Sequence, residues 1–175
     1  MKSDTRAKDG IGWGMKFKLE KYWDGQAVPY ETINGESNTL MNAGAGQMWQ
    51  RLITLSPSTS STGAAAQAFS TKSALGVGAS TASTGVRTLT DLASTAKLRQ
   101  PMEATFPSNT TGTSTSARSI QMKSAFGTTQ ANFAWKEWAV FNSTASGTML
   151  NRKVQDLGTK TTAATWNLTV TLSLS

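Results

Sequence analysis

From Thr165 to Leu174 the chain alternates without a break. Trp166, Leu168, Val170, Leu172 and Leu174 are apolar, while Asn167, Thr169, Thr171 and Ser173 between them are polar. Successive side chains of a strand point to opposite faces, so this segment predicts a strand with one buried and one wet side. The same period governs residues 15–23. Met15, Phe17, Leu19, Lys21 and Trp23 share one face, and Lys16, Lys18, Glu20 and Tyr22 the other. That strand runs into Asp24-Gly25, a hairpin-turn signal, with Ala27 to Ile33 expected to return and Pro29 marking a sheet edge.

Further short strands are expected at Ala74 to Val77, Gly85 to Leu89, Gln100 to Phe106, Arg118 to Phe126, Gln130 to Phe141 and Thr148 to Val154. Polar clusters such as residues 108–112 and 142–147 separate them. Many short strands joined by polar turns predict an all-β fold, an antiparallel sandwich of jelly-roll-like type. One stretch, residues 38–53, has helical spacing, with apolar side chains at 41, 45, 48, 49, 52 and 53 and Ser37 or Asn38 as the cap. Gly44 and Gly46 weaken such a helix and imply that something packs closely against it. Residues 56–72 are small and polar and predict an exposed loop. Residues 1–14, with Gly10, Gly12 and Gly14 around Trp13, predict an extended N-terminal arm. The expected organisation is this arm followed by one domain over 15–175.

At 175 residues the chain can bury one core but not two. Ser and Thr make up 47 residues, so the six Trp and six Phe must supply much of the core volume. Cys and His are both absent. That excludes zinc fingers, haem ligation by His, disulfides and every Cys- or His-based triad. No apolar run reaches the roughly 20 residues of a membrane span, and the polar start lacks a signal-peptide core. A soluble protein made in a cytoplasm, with no membrane partner, is the expectation. The net charge of +7 is spread along the chain: residues 1–30 hold six basic and four acidic side chains, the remainder eleven and six. Such a spread favours weak attraction to polyanions rather than a specific nucleic-acid site.

Beyond residue 30 the acids are Glu31, Glu36, Asp91, Glu103, Glu137 and Asp156. Glu137, between Trp135 and Trp138, reads as a strand residue facing solvent or as a partner for Arg152. Half of a glycosidase carboxylate pair is the weaker reading. Abundant Ser and Thr do no chemistry without an activating base, and no calcium-loop pattern occurs. The chain is therefore expected to be no enzyme, with no catalytic residue, metal or cofactor. Phe133 and Trp135 share a strand face that Trp138 joins only if a bulge intervenes near Lys136-Glu137. The group reads as core packing on both sides of such a bulge, as a stacking platform for sugars or bases, or as a subunit interface. Candidate inter-subunit contacts are Ile11 and Trp13 on the arm, with Trp138 and Arg152.

Several stretches together carry a resemblance. They are Trp135-Lys136-Glu137-Trp138-Ala139-Val140-Phe141-Asn142, Gly147-Thr148-Met149-Leu150-Asn151-Arg152, Gly158-Thr159-Lys160-Thr161 and Trp166-Asn167-Leu168-Thr169-Val170. Upstream, Met15 to Gly25, Leu75-Gly76-Val77-Gly78 and Thr90-Asp91-Leu92 fit as well. Across residues 15–175 the chain resembles short β-sandwich virion proteins of tailed bacteriophages. Some of these are called tail-fibre proteins, and others decorate or cement capsids. The resemblance implies a non-enzymatic virion component, most simply a trimeric capsid decoration protein whose partner is the major capsid protein. The alternative that it implies is a tail or baseplate component meeting tail proteins or a host-surface glycan. The loop at 56–72 and the arm at 1–14 depart from the pattern.

Overall fold

The first and the last of the described strands meet in one ladder. The computed structural model describes residues 13–36, 39–46, 72–82, 87–109 and 118–174. Strand β1 (Trp13–Trp23) pairs antiparallel with the last strand, β10 (Ala164–Leu174), from Trp13 opposite Leu174 to Trp23 opposite Ala164. The strands between are β2 (Glu31–Glu36), β3 (Thr39–Leu40), β4 (Ala74–Gly78), β5 (Lys97–Pro101), β6 (Ser108–Asn109), β7 (Ser119–Phe126), β8 (Ala134–Phe141) and β9 (Met149–Thr159). They form two antiparallel five-stranded sheets, ordered β2-β1-β10-β7-β6 and β3-β9-β8-β4-β5. The fold is the expected all-β sandwich with one short helical segment, residues 42–46.

The alternating faces decide how the sheets stack. Phe17 and Leu19 of β1, Met122 and Phe126 of β7, and Trp166, Leu168 and Val170 of β10 point inward. They meet Leu75 and Val77 of β4, Trp135, Trp138 and Val140 of β8, and Leu150 and Leu157 of β9. Trp135 sits at the centre, edge-on to Phe126 at 4.7 Å and to Trp166 at 4.8 Å, the offset geometry that aromatic quadrupoles favour. Trp138 packs on Phe17 at 5.2 Å. These two tryptophans are three residues apart, an odd spacing, yet both belong to the core. The β8–β9 register breaks between Trp135 and Glu137, where three residues of β9 oppose one of β8, so the bulge expected near Lys136-Glu137 is present.

Some boundaries differ from expectation for local reasons. The strand expected at 27–33 is β2 and starts only at Glu31, because Pro29 has no N–H for a ladder and Tyr30 N–H closes the loop on the Lys21 carbonyl at 2.8 Å. β2 is an edge strand, as Pro29 suggested. The strand expected at 100–106 is β5, ending at Pro101. There the chain changes sheets: Met102 N–H bonds the Ser73 carbonyl beside β4, and Glu103 N–H bonds the Lys123 carbonyl of β7. Of the strand expected at 85–89, residues 85–86 lie outside the described residues and 87–89 are not strand, with the Arg87 carbonyl accepting from Asn42 N–H at 2.9 Å.

The helix starts later than residue 38. Thr39 and Leu40 form β3 against Arg152 and Asn151 of β9, and Met41 N–H continues to the Leu150 carbonyl. The caps Ser37 and Asn38, the remainder of the expected helix (47–53), residues 56–71 of the expected loop and residues 1–12 lie outside the described residues, and Lys72 is an exposed turn residue. The helical turn lies on the outer side of the second sheet. Beside it, Met41, Leu92, Phe141 and Met149 make a second, smaller apolar cluster with Ala74 and Ala139. Gly44 has the close neighbour that its position implied: a Cβ there would stand 2.5 Å from the Leu150 carbonyl oxygen and 2.6 Å from its Cα.

Because that neighbour is backbone, Gly44→Ala is expected to destabilise the fold by about 1–3 kcal/mol, as overpacking does. Helix propensity alone predicts the opposite sign, about 1 kcal/mol of gain. Urea unfolding of the two proteins decides between them.

Candidate functional site

Past the core, the inward face of β1 carries Lys21 and Trp23 to the tip of the β1–β2 hairpin. Lys21 is 4% exposed. Its ammonium lies 2.8 Å from Glu31 Oε2 and 4.5 Å from the centre of the Trp166 ring, so a carboxylate and a π face together offset its desolvation. Trp166 Nε1–H donates to the Tyr30 hydroxyl at 3.2 Å. Tyr30 stacks on Trp23 at 4.4 Å with an interplanar angle of 22°. The hairpin tip is thus fastened to the core through Trp166, and it ends in an aromatic stack facing water.

Trp23, Tyr30 and Val28 are respectively 52%, 41% and 76% exposed, and they are the exposed large apolar side chains of the described residues. Their clustering on one tip, rather than their number, sets them apart from scattered surface apolar residues. On the same hairpin a cleft of about 330 Å³ is lined by Tyr22, Trp23, Gly25, Gln26, Ala27, Thr165 and Asn167. The sequence carries a signal for the tip. A lysine at an inward position followed by a tryptophan just before a turn marks the end of the core face.

Two of the four residues singled out for an interface lie inside the chain's own fold. Trp138 is 1% exposed within the chain's own core, and Arg152 is 6% exposed. The contacts of both are therefore intramolecular, and neither side chain presents a surface to a second subunit. Ile11 lies outside the described residues. Trp13 opens β1 by pairing with Leu174. Phe133 is partly buried against the core, with Trp135 inside it, so this aromatic group is core packing around the bulge.

Glu137 is fully buried and paired with Arg152, one of the two readings expected of it. Arg152 Nε–H donates to its Oε2 at 2.6 Å, Ser94 N–H to its Oε1 at 2.9 Å, and Ala93 N–H to Oε2 at 3.3 Å. Arg152 NH2 also donates to the Ala82 carbonyl at 2.9 Å. A buried carboxylate met by one cation and two amides is structural: it ties the segments around 82 and 93–94 to the sheet. Gly78 faces it across the ladder, and a Cβ there would come within 2.6 Å of Oε1.

Asp91 forms a more open network. Its carboxylate meets Lys97 at 2.8 Å and Arg99 at 2.9 Å and accepts Leu92 N–H at 2.8 Å, while Arg99 lies flat over Phe141 at 3.7 Å. Burial alone would raise the carboxyl, but hydrogen bonds from Lys97, Arg99 and Leu92 outweigh it and hold the group below its ordinary value. Lys160 is 1% exposed, with its ammonium on the Gly127 carbonyl at 2.6 Å and Asn132 Oδ1 at 2.9 Å. Burial lowers its pKa. Among the described residues no cluster of three or more acids could hold a metal ion, and no helix is long and apolar enough to cross a membrane.

No protein-family model, curated protein or solved structure matches the chain.

Removing one partner of a buried pair leaves an uncompensated charge, so Glu137→Ala is expected to cost about 3–5 kcal/mol in denaturant unfolding. Asp91 contributes differently. Its lowered folded pKa means that its stabilisation is complete above the ordinary aspartate value and is lost as pH falls through the folded one. Asp91→Asn should therefore narrow the drop in thermal midpoint between neutral and acid pH, which melting curves across that range would read.

Proposed function

We propose that the chain is a non-enzymatic structural protein of a bacteriophage virion, a capsid decoration protein. In this reading it binds the outer shell as a trimer and stabilises contacts between major capsid subunits. The observation that carries the reading is the aromatic tip, an apolar surface held rigidly toward solvent by Trp166, Tyr30 and Lys21. Such a patch suits docking against another protein. Of the arm expected at 1–14, Trp13 and Gly14 belong to β1 instead, at the opposite end of the strand from Trp23. An 11-residue strand separates the two by about 30–35 Å. In this reading the chain before β1 and the aromatic tip are two separated means of contact, as a clamp across a joint requires. Whatever binds the assembled shell but not its dissociated subunits stabilises the assembly, and many copies multiply a small gain.

Two further observations support the reading. The acid that sequence singled out for possible chemistry, Glu137, is held by Arg152 and backbone amides as a structural group. On the outward face of the first sheet, Lys16, Lys18 and Lys123 pair with Glu36, Glu20 and Glu103. Those lysines are thereby neutralised locally rather than arrayed as a bare stripe for nucleic acid.

Quantitative mass spectrometry of purified virions tests the assignment. A copy number comparable to that of the major shell protein is expected. A few copies per particle would move the protein to the tail or baseplate, and absence from virions would overturn the virion reading altogether. Within the decoration reading, Trp23→Ala and removal of residues 1–12 should each weaken binding to bare shells while the domain stays folded. Unchanged affinity in both would show that neither surface is the contact.

A further inference from the structure

Asn34 is the one asparagine of this sequence that a glycine follows, and every other precedes a residue with a side chain. The core explains the glycine. Gly35 pairs with Phe17 across the β1–β2 ladder, and a Cβ at 35 would overlap Cε1 of the Phe17 ring and stand 2.8 Å from its Cζ. That ring is 3% exposed and packs on Trp138 at 5.2 Å, so close packing leaves it nowhere to withdraw. The position of Phe17 therefore holds a residue without a side chain at 35, and the peptide nitrogen that follows Asn34 is unshielded.

Asn34 itself is exposed, opposite Lys18 of β1, on an edge strand. Beyond it the ladder of the described residues holds two further pairs, Gly35 with Phe17 and Glu36 with Lys16. Pairs near the end of an edge strand open at a much lower free energy than the core strands do. Such an opening lets the backbone turn the Gly35 nitrogen toward the side-chain amide carbon of Asn34. Asn142 is the contrast within the same fold. Ser143 after it is small, yet Asn142 is 3% exposed, its Oδ1 accepts Thr148 N–H at 2.7 Å, and its own N–H bonds the Thr148 carbonyl at 3.2 Å.

We infer that Asn34 is a covalent modification site, where the folded chain deamidates spontaneously through a succinimide. The Gly35 nitrogen, after losing its proton to solvent base, attacks Cγ of Asn34. The new N–Cγ bond closes a five-membered ring, the Cγ–Nδ2 bond breaks, and Nδ2 leaves as ammonia with a proton from water. Water then opens the ring at Cγ to give aspartate, or at the main-chain carbonyl carbon to give isoaspartate. Either product puts a carboxylate where a neutral amide stood. Isoaspartate also adds a methylene to the main chain, which shifts Gly35 and Glu36 against Phe17 and Lys16 and separates the Lys16–Glu36 ion pair. The reaction needs only the folded chain and water, so it is independent of the function proposed above.

Incubation of the full chain for weeks at mildly alkaline pH, folded or in guanidinium chloride, tests this. Peptide mass spectrometry locates each exchange of NH2 for OH and separates aspartate from isoaspartate. In the folded chain Asn34 is expected to convert at least about tenfold faster than Asn142, because native packing protects only the latter. In denaturant Asn142 should react as well, and the ratio should shrink. Asn34→Gln, a change on an exposed edge, should remove the early mass gain of the folded chain, since a side chain one methylene longer closes the ring far less readily. Asp24-Gly25 can form the same ring but loses water instead of ammonia, so its isomerisation leaves the mass unchanged. An Asn34 that stays intact in the folded chain would overturn the inference, and so would equal conversion of Asn34 and Asn142 there.

Discussion

The β1–β10 ladder is the constraint on which the rest of the structure depends. It joins residues 141 to 161 positions apart, and its backbone hydrogen bonds alone would not repay the conformational entropy of ordering two 11-residue strands. The repayment comes from the core face that the ladder builds. Phe17 and Leu19 of one strand and Trp166, Leu168 and Val170 of the other present a continuous apolar surface, and β7 extends it with Met122 and Phe126. The second sheet closes over that surface with Trp135 and Trp138. Breaking the alternation in either strand would turn its apolar set toward water.

Polar side chains then determine where the sandwich ends. Charges that fall inside are held by specific partners: Glu137 by Arg152 and two amides, Lys21 by Glu31 and the Trp166 ring, Lys160 by the oxygens of Gly127, Asn132 and Thr161. Each sits at a rim or on an outer face of the sandwich, where loops must be fastened to strands. The hairpin tip is one outcome of this arrangement. Lys21 stops the core at its own position, and the Trp23–Tyr30 stack and the cleft beyond it face solvent. Structure and proposed function meet at that point, because the group that closes the core also orients the exposed surface.

How much of this was legible beforehand depended on whether the signal was local. The two long strands were readable because their alternation is unbroken, and the bulge at Lys136-Glu137 was readable because two tryptophans at odd spacing demand one. Gly44 announced a close neighbour without saying which. The strand at 100–106 was misplaced because Pro101 ends β5 where the chain passes between sheets, and a jump of that kind has no period. Short β3 and β6 were invisible, since two residues carry no pattern. Trp138 and Arg152 were placed at an interface on residue type alone. Only burial distinguishes an interfacial tryptophan from a core one.

The sequence by itself determined the all-β class, the reliance on aromatic volume and the exclusion of Cys and His chemistry. All of these follow from composition and from the two-residue period of the strand, which every segment expresses without reference to any other. Tertiary structure alone decided strand order, the partners of Glu137 and Lys160, and the assembly of Tyr22, Gln26, Thr165 and Asn167 around one cleft. These last depend on contacts between residues up to 145 positions apart. Contacts at such separation are chosen by the packing of two whole sheets, and no local stretch of chain contains the information.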